Sequence, residues 1–155
     1  MKYKLIIDPE KEESVIITAH QKNSLILEIE KLLSKTEVKL YGYKDSEIIL
    51  LNEIEIYAFY TSENKVYAHC KTDSYQLKER LYQLEEMFKD TFMKINQGCL
   101  VNCKKIKRFE PNIGGSIKVV LTNDYADYIS RRELQNVKRR MGLWENMLKN
   151  FSNVV

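Results

Sequence analysis

Basic side chains without any acidic neighbour occur throughout residues 92–109. These cations are Lys94, Lys104, Lys105, Lys107 and Arg108. The same segment alternates apolar and polar residues around Leu100, Val101 and Ile106, which is the pattern of a strand. Positive charge combined with a strand pattern predicts a β-scaffold that presents a polar loop to a polyanion.

A second basic site occurs in the sequence Ser130-Arg131-Arg132-Glu133. Serine followed three residues later by glutamate is the pattern of a capping box, so we predict a helix that opens at Ser130 and ends near Gly142. Both arginines would then lie in the first turn, where the helix dipole favours anions over cations. A phosphate group or a guanine edge in front of that turn would account for the pair. The alternative is a tolerated surface arginine pair.

Charge is distributed unevenly along the 155 residues, although the formal net charge is only +3. Residues 1–91 carry 13 basic and 17 acidic side chains, whereas residues 92–155 carry 12 basic and 5 acidic ones. This asymmetry predicts a positive surface for nucleic acid or an anionic membrane in the last two fifths of the chain. A solvated lysine-rich face is the alternative interpretation.

Enzyme and metal chemistry find little support in the sequence. We find no nucleophile beside a positioned base, no glycine-rich phosphate loop and no metal-ligand cluster, so we expect no catalysis, no cofactor and no metal. Cys70, Cys99 and Cys103 are odd in number and form no C-x2-C pair, which predicts free thiols. Cys99 lies beside the predicted loop, where it is either a reactive thiol or, as we favour, an inward-facing small apolar residue.

The first apolar run is short because Asp8 and Pro9 interrupt it, which differs from a signal peptide. No apolar stretch approaches the ~20 residues of a membrane span. We therefore expect a soluble, cytoplasmic protein.

Residues 1–45 are predicted to form a small β-β-α unit. Residues 3–7 alternate as a strand, and residues 15–18 form a second apolar run. Ser24 is the predicted N-cap of a helix whose apolar residues recur at helical spacing. This unit is too small to be stable alone, so we expect it to pack on the rest of the chain or on a partner.

Residues 46–142 are predicted to be mainly β. Two strand patterns on either side of residues 62–64 predict a hairpin with Asn64 and Lys65 at its tip. A short strand to about Lys78, a helix over about residues 80–88 and an antiparallel meander follow. The tail, residues 143–155, is an amphipathic helical pattern that closes the core or contacts a second copy.

The two basic segments together resemble the LytTR DNA-binding domain of the LytR/AgrA type of bacterial transcription regulators. They read FMKINQGCLVNCKKIKRFEP and LTNDYADYISRRELQNVKRRMG. The residues that match the family pattern are Phe92, Lys94, Asn96-Gln97-Gly98, Leu100-Val101-Asn102, Ile106 and Ser130-Arg131-Arg132. Upstream, NEIEIYAFYTSENKVYAHC and LYQLEEMF match its hairpin and short helix, so the resemblance covers residues 46–142.

This resemblance implies an elongated fold of antiparallel β-sheets with short helices, preceded here by the β-β-α unit. It also implies a regulator that binds double-stranded promoter DNA at paired direct repeats, reads it with loops in the major groove and bends it. The base contacts it implies are Asn64, Asn96, Gln97 and Arg132. The phosphate contacts that we expect are Lys65, Lys94, Lys104, Lys105 and Arg131. Asn102 should be structural and bond the backbone of a neighbouring loop.

The side-chain chemistry agrees with these roles, because arginine pairs with guanine and asparagine or glutamine with adenine, while lysines hold phosphates. The chain departs from many members in its uncharged triplet, where His or Ser is often followed by Arg or Lys, and Gly98 replaces a frequent serine. The preferred bases should differ accordingly.

A receiver domain cannot fit into 45 residues, so the layout resembles the stand-alone regulators of the family. Some of these accompany a membrane protein, which makes a membrane-protein regulatory partner and a homodimer on DNA the expected partners. The alternative function is a protein-interaction module, in which residues 1–45 and the tail bind a partner and the basic face has only nonspecific affinity for polyanions.

Overall fold

The computed structural model describes residues 8–10, 15–33 and 38–142, and the chain divides into two compact units. The described part of the first unit, Met1–Glu37, contains one helix, α1 (Ser24–Leu33). Asn23 caps this helix, because its Oδ1 accepts the Ile26 N–H and its carbonyl accepts the Leu27 N–H, each at 3.1 Å. The predicted cap at Ser24 is therefore one residue too late.

The predicted strand over residues 15–18 is wrong, since these residues have no regular secondary structure. Val15 and Ile16 are exposed, and none of the strand pairings between described residues involves them. An apolar β pattern forms a strand only where a neighbouring strand satisfies its backbone groups. The predicted strand over residues 3–7 and the tail, residues 143–155, lie outside the described residues.

The second unit, Val38–Val155, is built on a seven-stranded antiparallel sheet with the order β2-β1-β5-β4-β3-β7-β6. Its strands are β1 (Leu40–Lys44), β2 (Glu47–Leu51), β3 (Ala58–Ser62), β4 (Lys65–His69), β5 (Ser74–Leu77), β6 (Phe92–Asn96) and β7 (Cys99–Asn102). Strand β1 therefore takes residues 40–44 into this sheet, although they precede the predicted domain start at residue 46. The short helix α2 (Leu81–Met87) follows β5, as the sequence predicts.

Two-residue turns close two of the hairpins. Asp45 and Ser46 join β1 to β2, and Glu63 and Asn64 join β3 to β4, all four with positive φ. Positive φ at both central positions is the type I′ turn, whose twist matches that of paired strands. Asn64 is thus at the hairpin tip, as predicted, whereas Lys65 is the first residue of β4.

A three-stranded meander follows and completes the mainly β fold, which confirms the predicted fold class. It consists of β8 (Ile106–Pro111), β9 (Ile117–Leu121) and β10 (Ala126–Ile129), and the last described helix is α3 (Leu134–Met141). No helix in the described parts of the chain is long and apolar enough to cross a membrane.

Alternate residues of the large sheet contribute to two separate cores. Phe59 belongs to the first core, where its ring lies 4.6 Å from that of Phe92 and 5.5 Å from that of Phe88, beyond α2. Its neighbour Ala58 belongs to the second core, with Val119 of the small sheet. The sheet is therefore covered by α2 on one face and by the meander and α3 on the other. Packing on both faces holds the strands in place, and with them the loops at the ends of the sheet.

Asn102 has the structural role predicted for it. Its side chain is 2% exposed, Nδ2 donates to the Ile56 carbonyl at 2.9 Å, and Oδ1 accepts the Lys104 N–H at 3.0 Å. One amide thus joins the loop before β3 to the turn after β7.

Candidate nucleic-acid interface

Three exposed loops meet at one end of the large sheet. The Thr61 N–H, next to the β3–β4 tip, donates to the Gly98 carbonyl in the β6–β7 turn at 2.8 Å. The Ser130 N–H, at the start of the segment before α3, donates to the Ile95 carbonyl at 2.8 Å. Residues far apart in sequence therefore form one surface, and the structure brings Asn64, Gln97 and the Arg131–Arg132 pair to it.

The Asn96 side chain positions the β6–β7 turn through hydrogen bonds within the protein. Its Nδ2 donates to the Tyr128 carbonyl of β10 at 2.9 Å, and its Oδ1 accepts the Gly98 N–H at 2.9 Å. The pairing of β6 with β7 also shifts register between Lys94 and Asn96. Such an irregularity redirects the strand end. Both polar atoms of the predicted base-reading amide are thus engaged within the protein.

Asn64 and Gln97 are exposed and line a single groove together with Lys94. The other wall comes from α2 and the residue before it, with Arg80, Tyr82 and Glu85. The Lys94 Nζ lies 3.8 Å from the Glu85 Oε2. A partly exposed ion pair of this length is weak, so a phosphate group can compete with Glu85 for the lysine.

Arg131 and Arg132 lie in a turn before α3 rather than in its first helical turn, because α3 begins at Leu134. Half of the predicted capping box is present, since Ser130 Oγ accepts the Glu133 N–H at 3.4 Å. The reciprocal half is absent because the Ser130 N–H is already bonded to the sheet. Both arginines are exposed, and neither forms an ion pair or hydrogen bond with the described residues.

Helix α3 is held in place by an apolar residue of its inward face and by an arginine whose contacts the sequence did not indicate. Val137 is fully buried in the second core, and the Arg140 guanidinium donates to the carbonyls of Phe92 and Lys89. Arg140, at the end of β6 opposite the three loops, is therefore a structural residue.

The predicted phosphate contacts divide into two groups. Lys65 and Lys94 lie at the end of the sheet that carries the three loops, whereas Lys104 and Lys105 follow β7 at its other end. The four residues of β7 separate Gly98 from Cys103, so the two residues are five steps apart, about 17 Å at ~3.4 Å per step. Lys104 is exposed, and the Lys105 Nζ lies 5.0 Å above the Tyr57 ring, a cation–π contact.

Arg80 and Tyr82 line the candidate interface, and the sequence reasoning missed them. Both are exposed and line the groove beside Asn64. The sequence pattern could have indicated Tyr82. Leu84 and Phe88 are four residues apart and form the inward side of the helical segment, so Tyr82 lies on the outward side. Only the tertiary structure, however, brings that face next to the hairpin tip.

Cys99 is the inward-facing residue that we favoured. It is fully buried, and its Sγ lies 3.7 Å from the Tyr125 hydroxyl. Burial raises the pKa of this thiol to about 12 from an ordinary 9.0. Few thiolates therefore exist at neutral pH, which argues against a redox role.

We expect iodoacetamide to leave Cys99 unmodified in the folded protein at pH 8 while unfolded chain is modified rapidly. The reactive thiolate increases only as pH rises toward the raised pKa. Peptide mass mapping after timed alkylation measures this, with the half-buried Cys70 and Cys103 as internal references. Modification of Cys99 as fast as that of free cysteine would contradict the assignment.

Replacing Gly98 by serine should leave the fold intact and change the free energy of unfolding by less than about 0.5 kcal/mol. A Cβ at Gly98 would meet its nearest neighbours, Asn96 and Thr61, at 3.7 and 3.9 Å, which are ordinary contacts. Urea unfolding of Gly98→Ser checks this. A large loss of stability would mean that the turn requires glycine.

Comparison with known proteins identifies the domain. The model of the LytTr DNA-binding domain matches residues 46–142. The chain is 31% identical over 148 residues to an uncharacterized HTH-type transcriptional regulator of Staphylococcus aureus strain MSSA476, covering 92% of this chain and 99% of that protein. The counterpart from strain NCTC 8325 matches with the same identity and coverage.

The fold matches as well. A solved LytTr DNA-binding domain from Bacillus cereus aligns with a TM-score of 0.65 at 16% identity, covering 69% of this chain and 99% of that one. The family match, the relatives and the shared fold agree with the sequence motifs and with the surface that they form. The chain therefore belongs to the LytTR family, and residues 46–142 are its LytTr DNA-binding domain.

Proposed function

We propose that the protein is a sequence-specific regulator of transcription that binds double-stranded promoter DNA at direct repeats and bends it. The observation that carries this proposal is the meeting of three loops at one end of the large sheet, through the hydrogen bonds of Thr61 and Ser130. Strands separate α1, α2 and α3 along the described chain, so the loops, rather than a pair of consecutive helices, enter the major groove.

Base reading is assigned to Asn64, Gln97 and Arg132. Arginine forms two hydrogen bonds with guanine, and each amide can do the same with adenine, so a half-site should contain one guanine and two adenines at the contacted positions. We assign Asn96 to loop positioning instead, because its amide already bonds Tyr128 and Gly98.

Phosphate binding is assigned to Lys65, Lys94 and Arg131 beside the loops, with Arg80 as an addition. Lys104 and Lys105 should contact the backbone farther along the duplex. Contact with both groups requires the DNA to follow about 17 Å of the protein surface, the span from Gly98 to Cys103 at ~3.4 Å per residue.

Fluorescence anisotropy of the protein on its own upstream intergenic DNA tests the proposal, with shuffled DNA of equal composition as the control, over a salt series. We expect a preference of at least ~10^3 for the upstream DNA that persists as salt is added. Equal and steeply salt-dependent binding to both DNAs would contradict sequence-specific reading at this promoter.

Lys105→Ala should weaken binding to upstream and shuffled DNA by the same factor, because a phosphate contact carries no sequence information. The slope of log K against log salt should become shallower by about 0.9 for the lost contact. Lys118→Ala is the matched control, since that lysine already pairs with Glu110 at 3.0 Å. A selective loss on the upstream DNA alone would remove Lys105 from the phosphate group.

A protein-interaction module is the second candidate, and the exposed leucines of α1 favour it. Leu25, Leu27, Leu32 and Leu33 are all exposed on this helix. They would bind a regulatory partner such as a membrane protein, while the basic loops add electrostatic attraction. Binding of any polyanion without sequence preference would support this function over the first.

A further inference from the structure

The two edge strands of the seven-stranded sheet, β6 and β2, differ in how well they are protected against pairing with another chain. The β6 edge carries Lys94, a register irregularity and a hydrogen bond from Ser130 to Ile95. Charges, irregularities and covering segments are the devices that prevent an edge strand from pairing with another chain. The opposite edge, β2, reads Glu-Ile-Ile-Leu-Leu, so its only charge is Glu47 beside the turn. Among the described residues it has no register irregularity and no covering segment, and it pairs with β1 without interruption.

The register of β1 and β2 determines which backbone groups are left free. Lys44 and Glu47 flank the two-residue turn, so they exchange both of their hydrogen bonds. Hydrogen-bonded pairs alternate along an antiparallel ladder, which directs the backbone groups of Ile49 inward, to Gly42. The N–H and C=O groups of Ile48 and Leu50 therefore point outward, along an edge that no other described strand covers.

The side chains at this edge are apolar as well as exposed. Ile48 is 66% and Leu50 is 58% exposed, and Tyr41, which is opposite Leu50 on β1, is 45% exposed. Ile49 packs against the first core, on the other face of the sheet. Free backbone groups and an apolar strip on the same strand are a template for adding another strand.

We propose that β2 pairs with the β2 strand of a second copy, antiparallel and around a twofold axis at Ile49. In this register Ile48 lies opposite Leu50 of the second copy, and both residues have outward backbone groups. Each of these two pairs can thus exchange two hydrogen bonds. A second copy is the occupant that we infer, because this register places exposed apolar Ile48 opposite exposed apolar Leu50 in both symmetry-related pairs and closes around the twofold axis.

The charges of β2 also permit this register. Glu47 lies opposite Leu51 of the second copy and four residues from the symmetry-related glutamate, so like charges are kept apart at the two ends. The apolar strips of the two protomers become continuous across the axis. A twofold relates the reading loops by rotation, whereas direct repeats relate them by translation. This interface therefore joins protomers that are bound to different DNA sites, and not the two protomers on one pair of direct repeats.

Sedimentation velocity of the full chain over a concentration series measures the association. Wild-type protein should dimerise, and Ile48→Lys should weaken the dimer by at least about tenfold in Kd, since a lysine on the edge opposes strand addition. Ile113→Lys is the matched control, because Ile113 is fully exposed in the β8–β9 loop. A wild-type monomer at all concentrations, or equal dimerisation of the two variants, would overturn the proposal.

A disulfide test reads the register and does not depend on how the lysine variant folds. Residues that face each other in a non-hydrogen-bonded pair have Cα atoms about 4.5 Å apart, within the range of a disulfide at ~4.4–6.8 Å. Ile49→Cys should therefore cross-link to itself, whereas Ile48→Cys, which faces Leu50, should not. Non-reducing electrophoresis with the wild-type chain as the blank detects the dimer. Failure of Ile49→Cys to cross-link would exclude this twofold axis.

Discussion

Arg132→Ala is expected to remove the recognition of one base pair while leaving a folded protein that still binds DNA. A guanidinium that pairs with two acceptors of guanine contributes about 1–3 kcal/mol of discrimination, or roughly 5- to 150-fold in relative affinity. Arg132 is exposed and forms no bond with the described residues, so its loss should not weaken the fold. Anisotropy on upstream and shuffled DNA measures the ratio of affinities.

Arg131→Ala is the matched control, since this neighbour is equally exposed in the same turn. Because Arg131 is assigned to a phosphate contact, Arg131→Ala should lower the affinities for upstream and shuffled DNA by the same factor and make the salt dependence shallower. A further test combines Arg132→Ala with replacement of the contacted guanine in the DNA. The replacement should lower the affinity of the wild-type protein but not that of the variant, which no longer has the arginine that pairs with this guanine. If Arg132→Ala lowered both affinities equally, Arg132 would be a phosphate contact and not a base reader.

The second large effect is expected on stability, from Asn102→Ala. Alanine would leave the Ile56 carbonyl and the Lys104 N–H without their hydrogen-bond partner. Asn102 is only 2% exposed, so water does not readily replace its amide. An unsatisfied buried polar group costs about 1–3 kcal/mol, so the two together should lower the free energy of unfolding by ~2–4 kcal/mol. For a domain of about 100 residues that corresponds to a Tm lower by roughly 10–25 °C.

Asn112→Ala is the control for this prediction, because it makes the same substitution in an exposed loop, where Asn112 accepts a hydrogen bond from Ser116. Its effect should stay within about 1 kcal/mol. Thermal and urea unfolding of both variants measure the difference. Equal Tm values for the two variants would mean that water replaces the Asn102 amide at low cost.

The sequence predicted most of the elements that carry the interface. Period-two alternation on both sides of residues 62–64 located the hairpin, whose two turn residues, Glu63 and Asn64, have positive φ in the structure. The strand to about Lys78 and the helix after it are confirmed by β5 and α2. These features depend on neighbours within a few residues, so a local pattern is sufficient to specify them.

The errors share a different physical origin. Residues 15–18 have a strand pattern but form no strand, because a strand requires hydrogen-bond partners from elsewhere in the chain. At Ser130, the capping box was only half formed because its N–H donates to Ile95, 35 residues earlier in the sequence. In both cases the outcome depended on partners that lie far away in the sequence.

The sequence by itself determined the family, the mainly β fold class and the residue types available for DNA, since motif, alternation and charge are all local properties. Only the tertiary structure decided which of those residues share a surface. It brought Asn64, Gln97 and Arg132 to one end of the sheet, placed Lys105 at the other, and engaged the Asn96 amide with Tyr128, 32 residues away. The reason is that a polar side chain is available to DNA only where folding leaves its hydrogen bonds unfilled, and long-range contacts decide which bonds are filled.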